Sequence, residues 1–327
     1  RLIMKTSLNQ IKSPIDNELK LFDTHFKKAI SSRVSLLDKI SYYIVKTKGK
    51  QFRPLIALLS AKVFGPINEE SYTAATMVEL LHTATLVHDD VVDESDQRRG
   101  FFSINALWKN KIAVLVGDYL LSKGLLVALE KEQYAMLKIL SEAVSAMSEG
   151  ELLQLEKARR LDITEDIYFD IIKQKTATLI SASCTCGAIS TCQSEEFIQT
   201  MKRFGLNLGI AYQIKDDLMD LSEHNTGKPK IHDIREKKMT LPLIIALKNA
   251  PHPESFQIIQ SIRNRSEDET VIRKAVQFII QYNGINQSID RMNSYRDLAL
   301  KDLATLPSND ARLALEQLCY FVTEREK

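Results

Sequence analysis

Residues 79–94 read ELLHTATLVHDDVVDE, an apolar run that leads into three aspartates. Apolar residues recur every three or four positions, so residues 79–92 are predicted to form a buried α-helix. On that helix Asp89 and Asp93 are four residues apart and share one face. His82 lies seven residues before Asp89 on the same stripe. Carboxylates on an apolar helix face can share divalent cations, and the charge of these ions compensates for the cost of burying the carboxylates.

The same pattern returns as DDLMD at residues 216–220, within a second apolar segment. Helical spacing places Gln213 on the face of these aspartates, and Gly205 and Gly209 extend that stripe. Each glycine inside a helix costs about 1 kcal/mol relative to alanine, so we expect another backbone to approach closely there. One such motif is often only a solvated helix end. Two motifs on separate apolar helices favour facing clusters that hold a diphosphate through three divalent ions.

Basic residues supply a second kind of site. Arginine and lysine suit phosphate oxygens, and an acidic pocket needs cations beside it only if a second anion binds there. The pattern therefore predicts two phosphorylated substrates. No glycine-rich loop of the nucleoside triphosphate type occurs. The candidate cations are Lys50, Arg53, Arg98, Arg99, Lys175, Lys228 and Lys238.

The composition argues against several classes of function. The 327 residues carry a net charge of +2, which favours neither nucleic acid nor an anionic membrane surface as a partner. No apolar stretch approaches the ~20 uncharged residues of a membrane span, and no signal peptide is evident. The spacing of the cysteines does not match a zinc site, so we expect buried thiols in a reducing, cytoplasmic compartment. They are Cys184, Cys186, Cys192 and Cys319.

The long segments of the chain are predicted to be helical, and none has a strong strand pattern. Breaks at glycine and proline are too short for a domain linker. We therefore expect an all-α fold in which residues 1–327 form a single domain, a helical bundle around a central cavity. Residues 1–3 precede Met4, a candidate for the native start. Besides residues 79–92, the predicted helices span residues 112–129, 134–155, 164–189 and 195–221.

In order and together, these motifs resemble the trans-isoprenyl diphosphate synthase family, in its long-chain polyprenyl branch. The resemblance covers nearly the whole chain. It implies an isoprenoid-synthase fold and a homodimer that uses two to three Mg²⁺ ions. The implied substrates are isopentenyl diphosphate and an allylic diphosphate, farnesyl diphosphate being the expected primer. The motifs are GKQFRP (49–54), HTATLVHDDVVD (82–93), RRG (98–100), VGD (116–118), GE (150–151), KT (175–176), YQIKDD (212–217) and TLPL (240–243).

The resemblance also implies roles for individual residues. The isopentenyl diphosphate site is assigned to Lys50, Arg53, His82 and Arg99. The metal ligands are Asp89, Asp93 and Asp216, with support from Asp90, Asp217 and Asp220. The allylic diphosphate is assigned to Arg98, Lys175, Thr176, Gln213, Lys228 and Lys238. Near the developing allylic cation, the polar pair is Thr176 and Gln213.

The sequence departs from the family at two places. Phe101 and Phe102 stand where a basic residue and a proline are common. The segment between Lys228 and Lys238 lacks the Gly-Asp-Asp of many long-chain members, which puts the shape of that loop and metal contacts through Asp233 in doubt.

Small residues near the first acidic motif predict a long product. In short-chain members an aromatic side chain commonly fills the position of Ala84 or Thr85, one turn before Asp89. The tunnel should therefore continue between apolar helices, with Ala128 as another small wall residue. The expected product is an all-trans chain of heptaprenyl to nonaprenyl length.

Three other functions share part of this pattern. A short-chain farnesyl or geranylgeranyl diphosphate synthase would share every motif and differ in the tunnel. A terpene cyclase would bind one substrate and leave Lys50, Arg53 and Arg99 without a role. A non-catalytic regulatory subunit of a heteromeric synthase would be expected to lack some metal ligands, and none is missing here.

Overall fold

The structure, a computed structural model, describes residues 7–47, 49, 51–98, 100–158, 160–222 and 231–325. Helices joined by short turns make up almost all of this part of the chain, which confirms the predicted all-α fold. The first eight are α1 (Leu8–Lys12), α2 (Asp16–Ile30), α3 (Ser35–Thr47), α4 (Phe52–Phe64), α5 (Glu69–Val92), α6 (Ile104–Trp108), α7 (Asn110–Glu130) and α8 (Tyr134–Ala158). The next nine are α9 (Glu165–Ile172), α10 (Thr178–Ile189), α11 (Glu195–Ser222), α12 (His232–Arg235), α13 (Leu241–Asn249), α14 (His252–Arg265), α15 (Glu269–Gln281), α16 (Gly284–Ala304) and α17 (Asp310–Glu324).

Helix α10 lies at the centre of the bundle. Every residue from Leu179 to Ala188 is buried, and a helix that is buried on all faces needs partners all round. These partners are α4, α5, α8 and α11. A Cβ atom at Gly209 would lie 2.5 Å from the Cα atom of Ala177, and one at Gly205 would lie 2.7 Å from that of Ser181. The close backbone approach expected at these two glycines is thus confirmed.

Helix α5 runs from the core to the candidate site. It begins at a capping box, in which the side chain of Asn68 accepts a hydrogen bond from the backbone N–H of Ser71. Residues 71–82 are all buried, whereas several residues of the last three turns are partly exposed. The acidic motif therefore lies where the helix leaves the core.

The predicted helix at residues 164–189 is divided in the structure. Helix α9 and helix α10 are separated by a single π-helical turn, Lys173–Ala177. Such turns insert one residue into the helical ladder and occur frequently at functional sites. This turn carries Lys175 and Thr176, two of the residues assigned to the allylic diphosphate.

A short antiparallel hairpin was not expected from the sequence. Strand β1 (Gln97–Arg98) pairs with strand β2 (Phe101–Phe102). Gly100 permits the turn because its φ of +80° is readily adopted only by glycine. Arg98, assigned to the allylic diphosphate, lies in β1. Two-residue strands are too short to produce an alternating pattern that sequence analysis can detect.

Helix α7 has a large exposed apolar surface. By length and composition it could cross a membrane, and 33% of its apolar window is buried in the protein. The helix contains Lys111, Asp118 and Lys123, so the expectation that no uncharged stretch approaches the length of a span is unaffected. Helices that pack in a core or an interface meet the same criterion, so the finding is weak support for a membrane helix. The exposed apolar side chains are Val114, Leu115, Leu125, Leu126 and Leu129.

Candidate active site

Both acidic motifs lie at the C-terminal ends of their helices. Asp89 and Asp90 are in the last turn of α5, which Asp93 terminates, and the aspartates of residues 216–220 lie in the last two turns of α11. Neither last turn contains a basic residue. This end of a helix is the negative end of its dipole, which disfavours a carboxylate by roughly 0.3–1 kcal/mol and favours a cation. The two helix ends therefore fit divalent ions.

The carboxylates do not form a preassembled metal site. Among the residues that the structure describes, no three His, Cys, Asp or Glu side chains are close enough to hold one ion. Asp93 is exposed, whereas Asp90 is buried and lines a cavity together with Glu79 and His82. The facing arrangement of the two motifs around bound ions stays a prediction.

A cation of the protein itself lies on the second motif. The guanidinium of Arg325 pairs with the carboxylate of Asp216 and lies over the ring of Tyr212, 4.3 Å from its centroid. Burial raises the pKa of Asp216, and the charge of Arg325 opposes that shift. Arg325 thus supplies positive charge at a helix end that also fits a metal ion.

Asp217 makes hydrogen bonds to protein groups with both carboxylate oxygens. Its Oδ2 accepts from the hydroxyl of Tyr168 at 2.6 Å, and its Oδ1 accepts from Nε2 of Gln213 at 3.0 Å. Nζ of Lys238 is 3.9 Å from the same Oδ1. Burial raises the pKa of Asp217, and the charge of Lys238 opposes this. Asp217 therefore organises neighbouring side chains, in keeping with a supporting role.

Asp220 and Lys238 connect the end of α11 to α12. The two oxygens of Asp220 accept the backbone N–H groups of His232 and Asp233, each at 3.1 Å. Nζ of Lys238 donates to Oδ1 of Asp233 at 3.0 Å. Burial lowers the pKa of Lys238, but the charges of Asp217 and Asp233 outweigh burial and raise it. The lysine is therefore held fully charged beside the second motif.

One cavity brings together Lys175, Thr176, Gln213 and Lys238, four of the residues assigned to the allylic substrate. Oγ1 of Thr176 donates to Oε1 of Gln213 at 2.8 Å. Nζ of Lys175 pairs with Glu151 and lies 3.4 Å from Oε1 of Gln154. The cavity is lined by Gln154, Tyr168, Lys175, Thr176, Gln213, Asp217 and Lys238, with apolar residues completing its wall.

Two residues assigned to isopentenyl diphosphate are adjacent. Nη1 of Arg53 lies 2.7 Å from Nε2 of His82. Arg53 is the second residue of α4, and the helix begins directly after Gln51, whose φ of +52° is in the left-handed region. A guanidinium at a helix N-terminus favours a bound anion. Three other predicted phosphate ligands lie outside the described part of the chain: Lys50, Arg99 and Lys228.

The predicted tunnel residues lie at two depths along α5. Ala84 is 1% exposed in an apolar cluster shared with α7, and Oγ1 of Thr85 donates to the carbonyl of His82 at 2.8 Å. Ala128 is fully buried in a different cluster, which includes Met77. Because Met77 precedes Ala84 by about two helical turns, Ala128 lies deeper than Ala84, measured from the acidic motif.

Comparison with known proteins identifies the class of enzyme that this fold and site define, a prenyltransferase. The chain belongs to the polyprenyl synthetase family, whose model matches residues 34–279. Members of this family use isoprenyl diphosphate substrates and a divalent metal.

Several characterised relatives match over most of their length. The chain is 37% identical to the geranyl-diphosphate-specific all-trans-nonaprenyl-diphosphate synthase of Rhodobacter capsulatus, over 96% of this chain and 97% of the relative. It is 35% identical to the octaprenyl diphosphate synthase of Escherichia coli, over 91% of this chain and 93% of the relative. Geranylgeranyl diphosphate synthases also match; that of Saccharolobus solfataricus is 32% identical, over 92% of this chain and 94% of the relative.

The fold also matches solved structures over nearly the whole chain. The polyprenyl synthase of Caulobacter crescentus, complexed with calcium and isoprenyl diphosphate, superposes with a TM-score of 0.90 at 32% identity. The match covers 99% of each chain.

Proposed function

We propose that this prenyltransferase is an all-trans polyprenyl diphosphate synthase, which extends farnesyl diphosphate with successive units of isopentenyl diphosphate. The observation that carries the proposal is the separation of basic side chains into two groups. Arg53 lies beside His82, whereas Lys175 and Lys238 line the cavity next to Asp217. Two separate groups of basic side chains suit two anionic substrates. A single-substrate cyclase would need only one of them.

The metal in this proposal is Mg²⁺, with two or three ions per chain. When bound, the ions would offset the negative charge that builds on the leaving diphosphate. Carboxylate oxygens are ligands that Mg²⁺ prefers, and the negative ends of α5 and α11 favour cations. The calcium in the Caulobacter crescentus complex supports a divalent ion. The proposed ligands are Asp89, Asp93 and Asp216, supported by Asp90, Asp217 and Asp220.

The protein's own groups bind the substrates and orient them. Thr176 and Gln213 present oxygen atoms toward the allylic carbon as positive charge develops on it. The allylic carbon–oxygen bond breaks, and the double bond of isopentenyl diphosphate supplies the electron pair of the new carbon–carbon bond. The released diphosphate then takes a proton from the carbon next to the new carbocation, and a double bond forms in the product. We assign the allylic diphosphate to Arg98, Lys175, Lys228 and Lys238, and isopentenyl diphosphate to Lys50, Arg53, His82 and Arg99.

The length of the helices supports a product of heptaprenyl to nonaprenyl size. Helix α5 has 24 residues and so extends for ~36 Å. An extended chain of about eight isoprene units is of similar length. Ala84 leaves the path along α5 free of an aromatic plug close to Asp89. The octaprenyl and nonaprenyl products in the names of two relatives support the same range.

The exposed apolar surface of α7 supports a homodimer. A contiguous apolar patch is rarely left in contact with water, and two-fold symmetric contacts are the commonest way to cover one. Leu115 is 56% exposed and Leu126 is 47% exposed on this helix. We propose that α7 of one protomer packs against its partner, and that the dimer functions in the cytoplasm.

The proposed function is tested by product analysis. The purified chain is incubated with farnesyl diphosphate, excess isopentenyl diphosphate and Mg²⁺, and the products are identified by mass. We expect heptaprenyl to nonaprenyl diphosphate and no product when EDTA removes the metal. Absence of any prenyl product with Mg²⁺ present would overturn the proposal and favour a regulatory subunit.

A short-chain synthase is the second candidate, because geranylgeranyl diphosphate synthases also match the chain. The same assay separates the two candidates. Products that stop at geranylgeranyl diphosphate, even when isopentenyl diphosphate is in excess, would establish the short-chain activity. The metal and diphosphate sites would be unaffected by that outcome.

A further inference from the structure

Tyr168 belongs to none of the motifs, yet its hydroxyl lies in the wall of the allylic cavity. It is 3% exposed and comes from α9, on the N-terminal side of the π-helical turn. A buried phenol hydroxyl requires a hydrogen-bond partner. Its partner is Oδ2 of Asp217 at 2.6 Å. This contact ties α9 to the acidic end of α11.

The hydrogen bond from Tyr168 is the first of three in a continuous chain. Asp217 accepts from Nε2 of Gln213 at 3.0 Å, and Oε1 of Gln213 accepts from Oγ1 of Thr176 at 2.8 Å. All four side chains line one cavity. This series of hydrogen bonds therefore connects α9 through α11 to the π-helical turn.

The chemistry of the four groups sets the direction of every bond. An ionised carboxylate can only accept, so Tyr168 donates to Asp217, and Gln213 must turn its NH₂ group toward it. Gln213 then offers its carbonyl oxygen to Thr176, whose single hydroxyl hydrogen is used in that bond. Once this hydrogen is used, Oγ1 of Thr176 has only its two lone pairs left for other interactions. Oxygen lone pairs at the cavity suit a carbon that becomes positively charged.

We propose that Tyr168 is a positioning residue of this prenyltransferase, which orients Gln213 and Thr176 toward the allylic carbon by holding the carboxylate of Asp217. This inference rests on the proposed function, because it needs an allylic cation beside Thr176. Without the hydroxyl, Oδ2 of Asp217 loses its partner and the carboxylate can rotate toward Lys238, whose Nζ is 3.9 Å from Oδ1. The orientation of Gln213 is then no longer fixed.

The first test is Tyr168→Phe, which removes one oxygen atom. We expect kcat to fall roughly tenfold or more, the scale of a hydrogen bond to a charged group, with KM for both substrates within about twofold of wild type. Binding of a farnesyl diphosphate analogue with sulfur in the bridging position should be unchanged. Tyr282→Phe is the matched control, because Tyr282 donates to Glu254 on the distant helix α14. An unchanged kcat in Tyr168→Phe would overturn the proposal.

A double-mutant cycle separates positioning from a general effect on folding. If Tyr168 acts through Thr176, then Tyr168→Phe should lower kcat by less than about threefold when Thr176 is already valine. Equal factors in the two backgrounds would show that Tyr168 acts independently and would contradict the inference. Should Tyr168→Phe fail to fold, Asp217→Asn replaces one of the two acceptor oxygens by an NH₂ donor, so one of the hydrogen bonds from Tyr168 and Gln213 is lost, and this variant must show the same non-additivity with Thr176→Val.

The wild-type assay distinguishes a failure of the positioning role from a failure of the proposed function. Product formation by the wild type tests that function alone, whereas the cycle measures only ratios to the wild-type rate. An active wild type with an unimpaired Tyr168→Phe variant therefore overturns the positioning role and leaves the synthase activity in place.

Discussion

Arg325 and Asp216 form an ion pair at the acidic end of α11, where the guanidinium also lies over the ring of Tyr212. The arginine thus neutralises a carboxylate that we assign to the metal. Arg325 contacts only Oδ1 of Asp216, but its positive charge repels a metal ion on the same carboxylate. Binding of Mg²⁺ at Asp216 therefore competes with Arg325 and favours movement of the guanidinium away from Asp216 or onto a phosphate oxygen.

Replacing Arg325 by alanine should lower the Mg²⁺ concentration required for half-maximal activity. Because Asp216 is 39% exposed, the change should be modest, about two- to fivefold. The measurement is a Mg²⁺ titration of the initial rate at saturating substrates. Arg291→Ala, which removes a comparable pairing with Glu165 on the surface, is the control. A higher Mg²⁺ requirement would show that Arg325 aids substrate or metal binding.

Replacing Asp89 or Asp216 by alanine should lower kcat by orders of magnitude, since each change removes a ligand of the ions that stabilise the leaving diphosphate. The fold should persist, because a carboxylate at the negative end of a helix is removed. Steady-state rates at saturating Mg²⁺ and thermal unfolding measure the two effects. Asp290→Ala, on the exposed face of α16, is the control. Near-wild-type turnover in either variant would refute the metal assignment.

Arg53→Ala and Lys175→Met should affect different substrates. Loss of Arg53 removes a cation that lies beside His82, so KM for isopentenyl diphosphate should rise more than KM for the allylic partner. Lys175→Met should do the reverse, because Lys175 lines the cavity of Thr176 and Gln213. Each variant is the control for the other. The opposite selectivity would mean that the two sites are exchanged.

Ala84→Phe should shorten the product to farnesyl or geranylgeranyl diphosphate. Ala84 is 1% exposed, so the ring must occupy the path along α5 or displace its neighbours, at a cost of about 1–3 kcal/mol of stability. Ala128→Phe on α7, which lies deeper than Ala84 measured from the acidic motif, should leave a longer product than Ala84→Phe. The reactions are run below the unfolding temperature of each variant, and the masses of the products test the predicted order of product lengths. If neither variant changes product length, the tunnel does not follow α5.

Leu126→Glu should convert a dimer into monomers, because it places a charge in the apolar surface of α7. Sedimentation at micromolar concentration measures the change. Leu298→Glu on α16 is a closely matched control, since both leucines are 47% exposed. A wild-type chain that sediments only as a monomer would remove the basis for the homodimer.

Local periodicity was sufficient to predict the two helices that carry the acidic motifs. The pattern of residues 79–92 predicts a helix because apolar side chains at every third or fourth position can be buried together only in that geometry. The predicted helix at residues 195–221 agrees with α11, Glu195–Ser222, to within one residue. The buried state of all four cysteines was also predicted and is confirmed.

The hairpin and the π-helical turn were missed, because neither leaves a periodic signal. Gly100 permits the hairpin, but its two strands have only two residues each. The π-helical turn of Lys173–Ala177 adds one residue to an otherwise continuous helical pattern. Both features depend on how the neighbouring helices pack.

The sequence alone determined the family, the all-α class and the residue types suited to two diphosphates, because these follow from motifs and from spacing along one helix. Only the tertiary structure determined which side chains meet across helices. Tyr168 contacts Asp217 from 49 positions away, and Arg325 contacts Asp216 from 109 positions away. No local pattern encodes such contacts, since hydrogen bonds and ion pairs between distant residues form only after burial brings their helices together.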